Sequence, residues 1–127
     1  FIEVMATRLG ADLNEMYELA AKGQPQAISA MCTVFAESEV ISHIGSGEKR
    51  EDIAAGVIHS VANRVANLAA RFGVEENIVL TGGLCESPYF IQTLSDKLEH
   101  KVETDAFARY AGALGAALTA AKRRDLV

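Results

Sequence analysis

The longest regular pattern in the chain is a series of apolar residues that recur every three or four positions between Ala54 and Phe72. This spacing puts the apolar side chains on one face of a helix. Acidic residues lie near the start of the pattern, where the helix dipole favours them, and Gly73 ends it. The pattern predicts a long helix that packs on the core through Ala54, Val57, Ile58, Val61, Val65, Leu68 and Phe72.

Three shorter helical patterns precede this helix. One covers residues 1–9, a second begins at its N-cap Asp12 and ends near Gly23, and a third follows Cys32. Phe1 already lies inside a helical pattern, without an N-cap residue or an initiator Met. Because a helix normally begins after a capping residue, we expect further residues upstream of Phe1 in the complete protein.

An apolar segment, Ile78-Val79-Leu80, runs directly into Thr81 and a pair of glycines, Gly82 and Gly83. This order predicts a short buried strand that ends in a sharp turn. Ligands of open α/β sheets bind beyond the carboxyl ends of the strands, and glycines let the backbone approach a ligand closely. We expect Gly82 and Gly83 to face a ligand, with a nucleotide as the favoured class, although a plain tight turn would have the same local sequence.

The remaining elements follow the glycine pair. Ser87-Pro88 is typical of a helix start, with Ser as the cap and Pro in the first position, and Lys101 to Thr104 resembles a weak edge strand. The last helix, about Ala108 to Arg124, is rich in Ala and Gly. Each interior Gly costs roughly 1 kcal/mol of helix stability, so Gly112 and Gly115 predict that another element approaches closely. The expected fold class is α/β and helix-rich.

Composition narrows the functional classes. A chain of 127 residues suits one globular domain rather than two. The net charge of −5 argues against a nucleic-acid partner, and the basic residues 122–124 are interpreted as a solvated helix end. We see no bilayer-spanning stretch and no signal-peptide pattern, and two cysteines are too few for a disulfide framework. We therefore expect a cytoplasmic protein without a membrane partner.

Cys32 is the most informative of the reactive side chains. It lies at or near a helix N-terminus, where backbone N–H groups and the helix dipole stabilise an anionic thiolate, although a lone Cys is also often simply buried. Glu37 and Glu39 are two residues apart and point to different faces of the helix, so at least one should be solvated. No catalytic acid–base pair, Ser/His/Asp arrangement or zinc spacing stands out, and the three histidines are interpreted as surface residues.

Three stretches occur in a fixed order that is not generic. They are residues 31–41, MCTVFAESEVI, residues 80–83, LTGG, and residues 110–117, YAGALGAA. Together they resemble the C-terminal half of the BadF/BadG/BcrA/BcrD ATPase family, which includes activators of 2-hydroxyacyl-CoA dehydratases and ATPase subunits of benzoyl-CoA reductase. The likeness covers essentially the whole chain, and the stretch around Cys32 is its most specific part.

The resemblance implies a fold and a mechanism. Members have the actin/Hsp70/sugar-kinase (RNase H-like) fold, and this chain would form part of its C-terminal lobe, with ATP or ADP and Mg²⁺ held between the two lobes. They form homodimers or pseudo-dimers in which one [4Fe-4S] cluster bridges the subunits. ATP hydrolysis drives a conformational change that lets the cluster pass a low-potential electron to an acyl-CoA dehydratase or an aryl-CoA reductase.

The resemblance also implies roles for individual residues. Cys32 matches the second of the two cluster ligands that each subunit contributes. Thr81, Gly82 and Gly83 match the loop on the adenosine side of the nucleotide, with the last helix packed behind it. Glu39 is a further candidate for the nucleotide pocket.

The chain departs from its relatives mainly in length, because full-length relatives are about twice as long, as a two-lobed fold requires. We expect residues 1–127 to be a single incomplete domain that lacks the phosphate loops and the first cluster cysteine, and that does not hydrolyse ATP alone. Cys85, just after the glycine pair, is interpreted as an incidental thiol. Two other functions stay open: a non-redox ATPase or sugar-kinase-like protein of the same fold in which Cys32 is buried, and a module that only dimerises or docks.

Overall fold

The computed structural model describes residues 1–29 and 32–124. These ranges contain the helices α1 (Ile2–Arg8), α2 (Leu13–Ala20), α3 (Thr33–Gly45), α4 (Arg50–Ala70), α5 (Pro88–Leu98) and α6 (Ala111–Arg124). They also contain the strands β1 (Ile78–Val79) and β2 (Val102–Glu103), and two short 3₁₀ turns, Gly83–Glu86 and Ala108–Tyr110. Ala30 and Met31, the latter being the first residue of the cysteine-containing stretch, lie outside the described residues.

The predicted helix starts are confirmed where the sequence offers a capping side chain. The carboxylate of Asp12 accepts a hydrogen bond of 2.8 Å from the N–H of Glu15 at the start of α2. The hydroxyl of Ser87 accepts one of 3.2 Å from the N–H of Phe90, and Pro88 is the first residue of α5. Both contacts satisfy backbone donors that a helix cannot satisfy by itself.

The long helix α4 lies at the centre of the fold, where it packs against α2 and α5 and also contacts α1 and α3. Its first half is buried on most sides, so even its small residues belong to the core. The predicted apolar stripe is correct for Ala54, Val57 and Ile58, which are buried, and for Val61 and Val65, which pack against the core while partly buried, but it is wrong for Leu68 and Phe72. The buried side continues through Ala62 and Ala66, while the side chains of Leu68 and Phe72 are 47% and 90% exposed. The elements that cover the first half of α4 do not reach these two residues.

The sheet consists of β1 and β2, which pair in parallel with Ile78 opposite Val102 and Val79 opposite Glu103. Helix α5 connects the two strands, as expected for a β–α–β unit, and the predicted edge strand is confirmed. The N–H of Leu80 extends the ladder by donating to the carbonyl of Glu103 over 2.8 Å. The expectation of a buried first strand is only partly correct, because Ile78 packs against the core whereas Val79 is exposed.

Helix α6 differs most from expectation. Within the described part of the chain it contacts the 3₁₀ turn Ala108–Tyr110 and no other element, so it does not pack behind the glycine turn as the resemblance implied. No described atom would come within 4 Å of a Cβ added at Gly112 or Gly115, so the predicted close approach at these glycines is wrong for this chain. In residues 1–29 and 32–124, none of the helices combines the length and apolar character that crossing a bilayer requires.

Candidate functional site

The glycine pair forms the sharp turn that the sequence predicts. Gly82 has φ +86° and ψ −176°, a conformation that is essentially restricted to glycine. Gly83 begins the 3₁₀ turn that follows, and nothing lies within 4 Å of a Cβ added at either glycine. Thr81 and Gly83 are exposed, and Gly82 is half-buried. The turn therefore presents accessible backbone beyond the carboxyl end of β1, where a ligand of an α/β sheet would bind.

Several hydrogen bonds fix this turn to the chain that follows β2. The N–H of Gly82 donates to the carbonyl of Ala108 over 3.1 Å, and the hydroxyl of Thr104 donates to the carbonyl of Leu80 over 3.1 Å. Arg109 forms an ion pair with Glu86, and its hydrogen bond lowers the pKa of that carboxyl. Cys85 is buried at the base of the turn, in agreement with an incidental thiol.

Replacing Gly82 with alanine should strain the turn, because an L residue with a side chain rarely adopts its dihedral angles. We expect a cost of about 1–3 kcal/mol in the free energy of unfolding. Gly83→Ala is the matched control, since Gly83 has no positive φ and no close neighbour. Denaturant unfolding measures the cost, and equal midpoints for the two variants would contradict the prediction.

Cys32 is the N-cap of α3 and is exposed. Its backbone is extended, with φ −144° and ψ 134°, and its carbonyl accepts the first helical hydrogen bond, 3.0 Å from the N–H of Ala36. The thiol caps no backbone donor of the helix. Val34 and Phe35, in the first turn of α3, are 65% and 66% exposed. In this chain Cys32 is therefore exposed rather than buried.

These features fit the chemistry of a thiolate metal ligand. A thiolate at Cys32 would face the unpaired N–H groups and the positive end of the dipole of the 13-residue helix α3. Among the described residues, no group of three or more His, Cys, Asp and Glu side chains is placed to hold a metal ion. Because the other thiol, Cys85, is buried in the glycine turn, Cys32 would be the single ligand from this chain.

The segment of residues 24–29, which leads towards Cys32, is held tightly against α4. The backbone N–H of Gln24 donates to the carboxylate of Asp52 over 2.7 Å, and the N–H of Gln26 donates to the carbonyl of Asp52 over 3.2 Å. A Cβ at Gly56 would lie 2.4 Å from the carbonyl oxygen of Gln26. A Cβ at Gly23 would lie 2.0 Å from the carbonyl oxygen of Glu51. The sequence analysis did not predict this contact. The glycine inside α4, Gly56, could have indicated it, because glycine is costly within a helix and is favoured where another backbone approaches closely.

Glu39 connects the same segment to α3. Its carboxylate accepts a hydrogen bond of 2.6 Å from the backbone N–H of Ser29, and the contact is partly buried. Its neighbour Glu37 instead forms an ion pair of 2.5 Å with Arg8 of α1. The two carboxylates therefore serve different faces of α3, as their spacing predicts.

The predicted site residues lie in two places. α3, which follows Cys32 and carries Glu39, contacts α1 and α4, whereas the 3₁₀ turn after the glycines contacts α5 and the second 3₁₀ turn. Within the described ranges no contact joins α3 to the glycine turn. The chain therefore separates a thiol-bearing helix start from a glycine turn.

Two of the three histidines, His43 and His59, are less exposed than the sequence suggested, and His59 lies between two helices. His59 is half-buried, and its Nε2 lies 3.3 Å from the hydroxyl of Tyr89, so that the pair joins α4 to α5. Burial lowers the pKa of His59 and raises the pKa of Tyr89. A groove of about 570 Å³ runs along the neighbouring polar face of α4, but it includes none of the predicted site residues. We assign no chemistry to either feature.

Comparisons with known proteins agree with the resemblance. Residues 1–120 match the model of the BadF/BadG/BcrA/BcrD ATPase family. The chain is 44% identical over 124 residues to the (R)-2-hydroxyglutaryl-CoA dehydratase activating ATPase of Acidaminococcus fermentans, covering 97% of this chain and 48% of that protein. It is 34% identical over 132 residues to one of the subunits of the benzoyl-CoA reductase of Thauera aromatica, covering 98% of this chain and 47% of that protein.

A solved structure gives the same result for the fold. The activator of the 2-hydroxyisocaproyl-CoA dehydratase from Clostridium difficile, determined with bound ADPNP, superposes with a TM-score of 0.86 at 37% identity, covering all of this chain and 49% of that one. The predicted fold, a portion of the C-terminal lobe of an actin/Hsp70/sugar-kinase-like ATPase domain, is confirmed. The chain spans about half the length of the curated relatives that it matches.

Proposed function

The chain belongs to the BadF/BadG/BcrA/BcrD ATPase family, and from this premise we propose that it is the C-terminal part of an ATP-dependent activator that transfers a low-potential electron to a partner enzyme. The observation that carries the proposal is the exposed Cys32 at the start of α3. The names of the relatives support it, since they include a dehydratase activating ATPase and a component of benzoyl-CoA reductase.

In this proposal Cys32 contributes one thiolate to a [4Fe-4S] cluster shared between two copies of the protein. Such a cluster needs four cysteine ligands, so the others come from the second copy and from residues outside this chain. The bound cluster supplies a one-electron carrier, and an external low-potential donor replaces the electron that the partner takes. Cys32 holds the cluster, and the N-terminal N–H groups of α3 offset its negative charge. Val34 and Phe35, exposed apolar residues in the first turn of α3, would add apolar surface near the cluster.

The nucleotide site is proposed on the glycine turn. Thr81, Gly82 and Gly83 would lie against the adenosine of ATP or ADP, because their backbone is accessible and the turn is held by hydrogen bonds to the chain after β2. Glu39 stays a candidate for the pocket. Mg²⁺ and the phosphates would be held by parts of the complete protein outside residues 1–127, which form a single incomplete domain. We therefore expect this chain alone not to hydrolyse ATP.

The partner in this proposal is a 2-hydroxyacyl-CoA dehydratase or a benzoyl-CoA reductase, and the protein acts in the cytoplasm as a homodimer or pseudo-dimer. The family includes relatives of both kinds, so both classes of CoA thioester are candidate substrates of the partner enzyme. The net charge of −5 suits a protein partner rather than a nucleic acid.

Anaerobic purification of the complete protein tests this function. We expect a brown protein with about four irons per dimer, with ATP hydrolysis that supports electron delivery to a dehydratase or a reductase. A non-redox ATPase or sugar-kinase-like protein would instead purify without iron while retaining nucleotide binding. If iron stays absent and Cys32→Ala leaves every activity intact, the electron-transfer function is wrong.

A further inference from the structure

We propose that Glu39 is a positioning residue for Cys32: its carboxylate holds the incoming backbone at Ser29 and thereby fixes where the thiolate meets the shared cluster. This inference rests on the proposed function, because it takes Cys32 to be a cluster ligand. It assigns Glu39 a role in the cluster site that does not require contact with the nucleotide.

The first support is the contact between Glu39 and Ser29. The 2.6 Å hydrogen bond joins a carboxylate to a backbone N–H in a partly buried position, where a charge-assisted bond is strong. Ser29 lies three residues before Cys32, and Glu39 lies about two helical turns after it. The bond therefore connects Ser29, on the N-terminal side of Cys32, to the middle of α3.

The second support is the anchoring of the same segment at its other end. Asp52 binds the N–H groups of Gln24 and Gln26, and the backbone of Gln26 lies directly against Gly56 of α4. Residues 24–29 are therefore held by α4 at one end and by Glu39 at the other. A metal ligand positioned in this way keeps its geometry through partners that do not touch the metal.

Glu37 offers a matched control on the same helix. It carries the same charge, lies closer to Cys32 in sequence, and pairs with Arg8 rather than with the segment that leads to Cys32. Replacing Glu37 removes one negative charge from α3 and leaves the hydrogen bond to Ser29 intact. Replacing Glu39 removes one negative charge and that hydrogen bond together.

The experiment compares Glu39→Ala, Glu39→Gln and Glu37→Ala in the complete anaerobic protein. We expect Glu39→Ala to speed the loss of iron to a chelator about tenfold and to change the electron paramagnetic resonance signal of the reduced protein. Glu39→Gln keeps an acceptor oxygen and should restore most of the wild-type behaviour. Glu37→Ala should match the wild type in both measurements. Equal effects of Glu39→Ala and Glu37→Ala would overturn the proposal, since charge alone would then explain them.

A second measurement does not depend on iron. In iron-free protein carrying Cys85→Ser, the rate at which a small alkylating reagent modifies Cys32 reports how the thiol is held. We expect Glu39→Ala to change this rate several-fold and Glu37→Ala to leave it unchanged. An unchanged rate in Glu39→Ala would overturn the positioning role even if the protein binds iron. If the wild type binds no iron but the alkylation rate responds to Glu39→Ala, the cluster function fails while the anchor of the Cys32 segment stands.

Discussion

Replacing Cys32 with serine should remove the iron from the complete protein and abolish electron delivery to its partner. Serine has nearly the size of cysteine, but its hydroxyl is not a thiolate and does not replace one in an iron–sulfur cluster. Loss of an outer partner of a metal ligand typically costs roughly 10–100-fold, so loss of the ligand itself should reduce partner activation by more than about 100-fold. Iron analysis and a coupled dehydratase assay measure the two effects.

Cys85→Ser is the control for this experiment. Both variants remove one of the two thiols of the chain, but Cys85 is buried in the glycine turn whereas Cys32 is exposed at the start of α3. We expect Cys85→Ser to retain its iron. ADP binding shows whether the Cys32 variant is folded, since the glycine turn makes no contact with α3 in the described part of the chain. Full iron content in Cys32→Ser would remove the basis of the proposed function.

The position of Cys32 was predictable because a helix start depends on neighbours within one turn. The same holds for the caps Asp12 and Ser87, whose contacts reach three residues ahead. Exposure at the end of α4 was not predictable in this way. Phe72 continues the apolar spacing, yet its burial depends on which distant elements cover that end of the helix, and periodicity does not contain this information.

The glycines also show that local sequence does not reveal contacts with distant parts of the chain. The cost of glycine in a helix indicates that some interior glycines have a packing reason, but it does not identify them. The pattern favours Gly112 and Gly115, and the described atoms leave both open, whereas the close contacts occur at Gly23 and Gly56. Gly56 meets Gln26, which lies thirty positions earlier in the chain. A contact of this kind becomes visible when the packing of α4 against that segment is known.

Gly56→Ala should therefore be among the most destabilising small substitutions in this chain. The added Cβ would lie 2.4 Å from a backbone carbonyl oxygen, and the two atoms can separate only if the segment or α4 moves. Alanine gains about 1 kcal/mol of helix propensity over glycine, but overpacking of a core typically costs about 1–3 kcal/mol and occasionally more. Because the neighbour is backbone rather than a flexible side chain, we expect an overpacking cost at the upper end of that range, about 3 kcal/mol, and therefore a net loss of about 2 kcal/mol after the gain in helix propensity.

Gly115→Ala provides the matched control, because the same change inside α6 meets no described atom within 4 Å. It should leave the urea midpoint of the complete protein unchanged or raise it. Gly56→Ala should lower that midpoint and, by displacing the backbone of Gln26, should also loosen the approach to Cys32 and reduce the iron content. A wild-type urea midpoint for Gly56→Ala would show that the backbone of residues 24–29 moves away from α4 at little cost in free energy. That result would argue against a role of residues 24–29 in positioning the thiolate. A lowered midpoint with full iron content in Gly56→Ala would show that the contact with α4 stabilises the fold without determining the position of Cys32. The hydrogen bond from Ser29 to Glu39 would then be the contact that positions the thiolate.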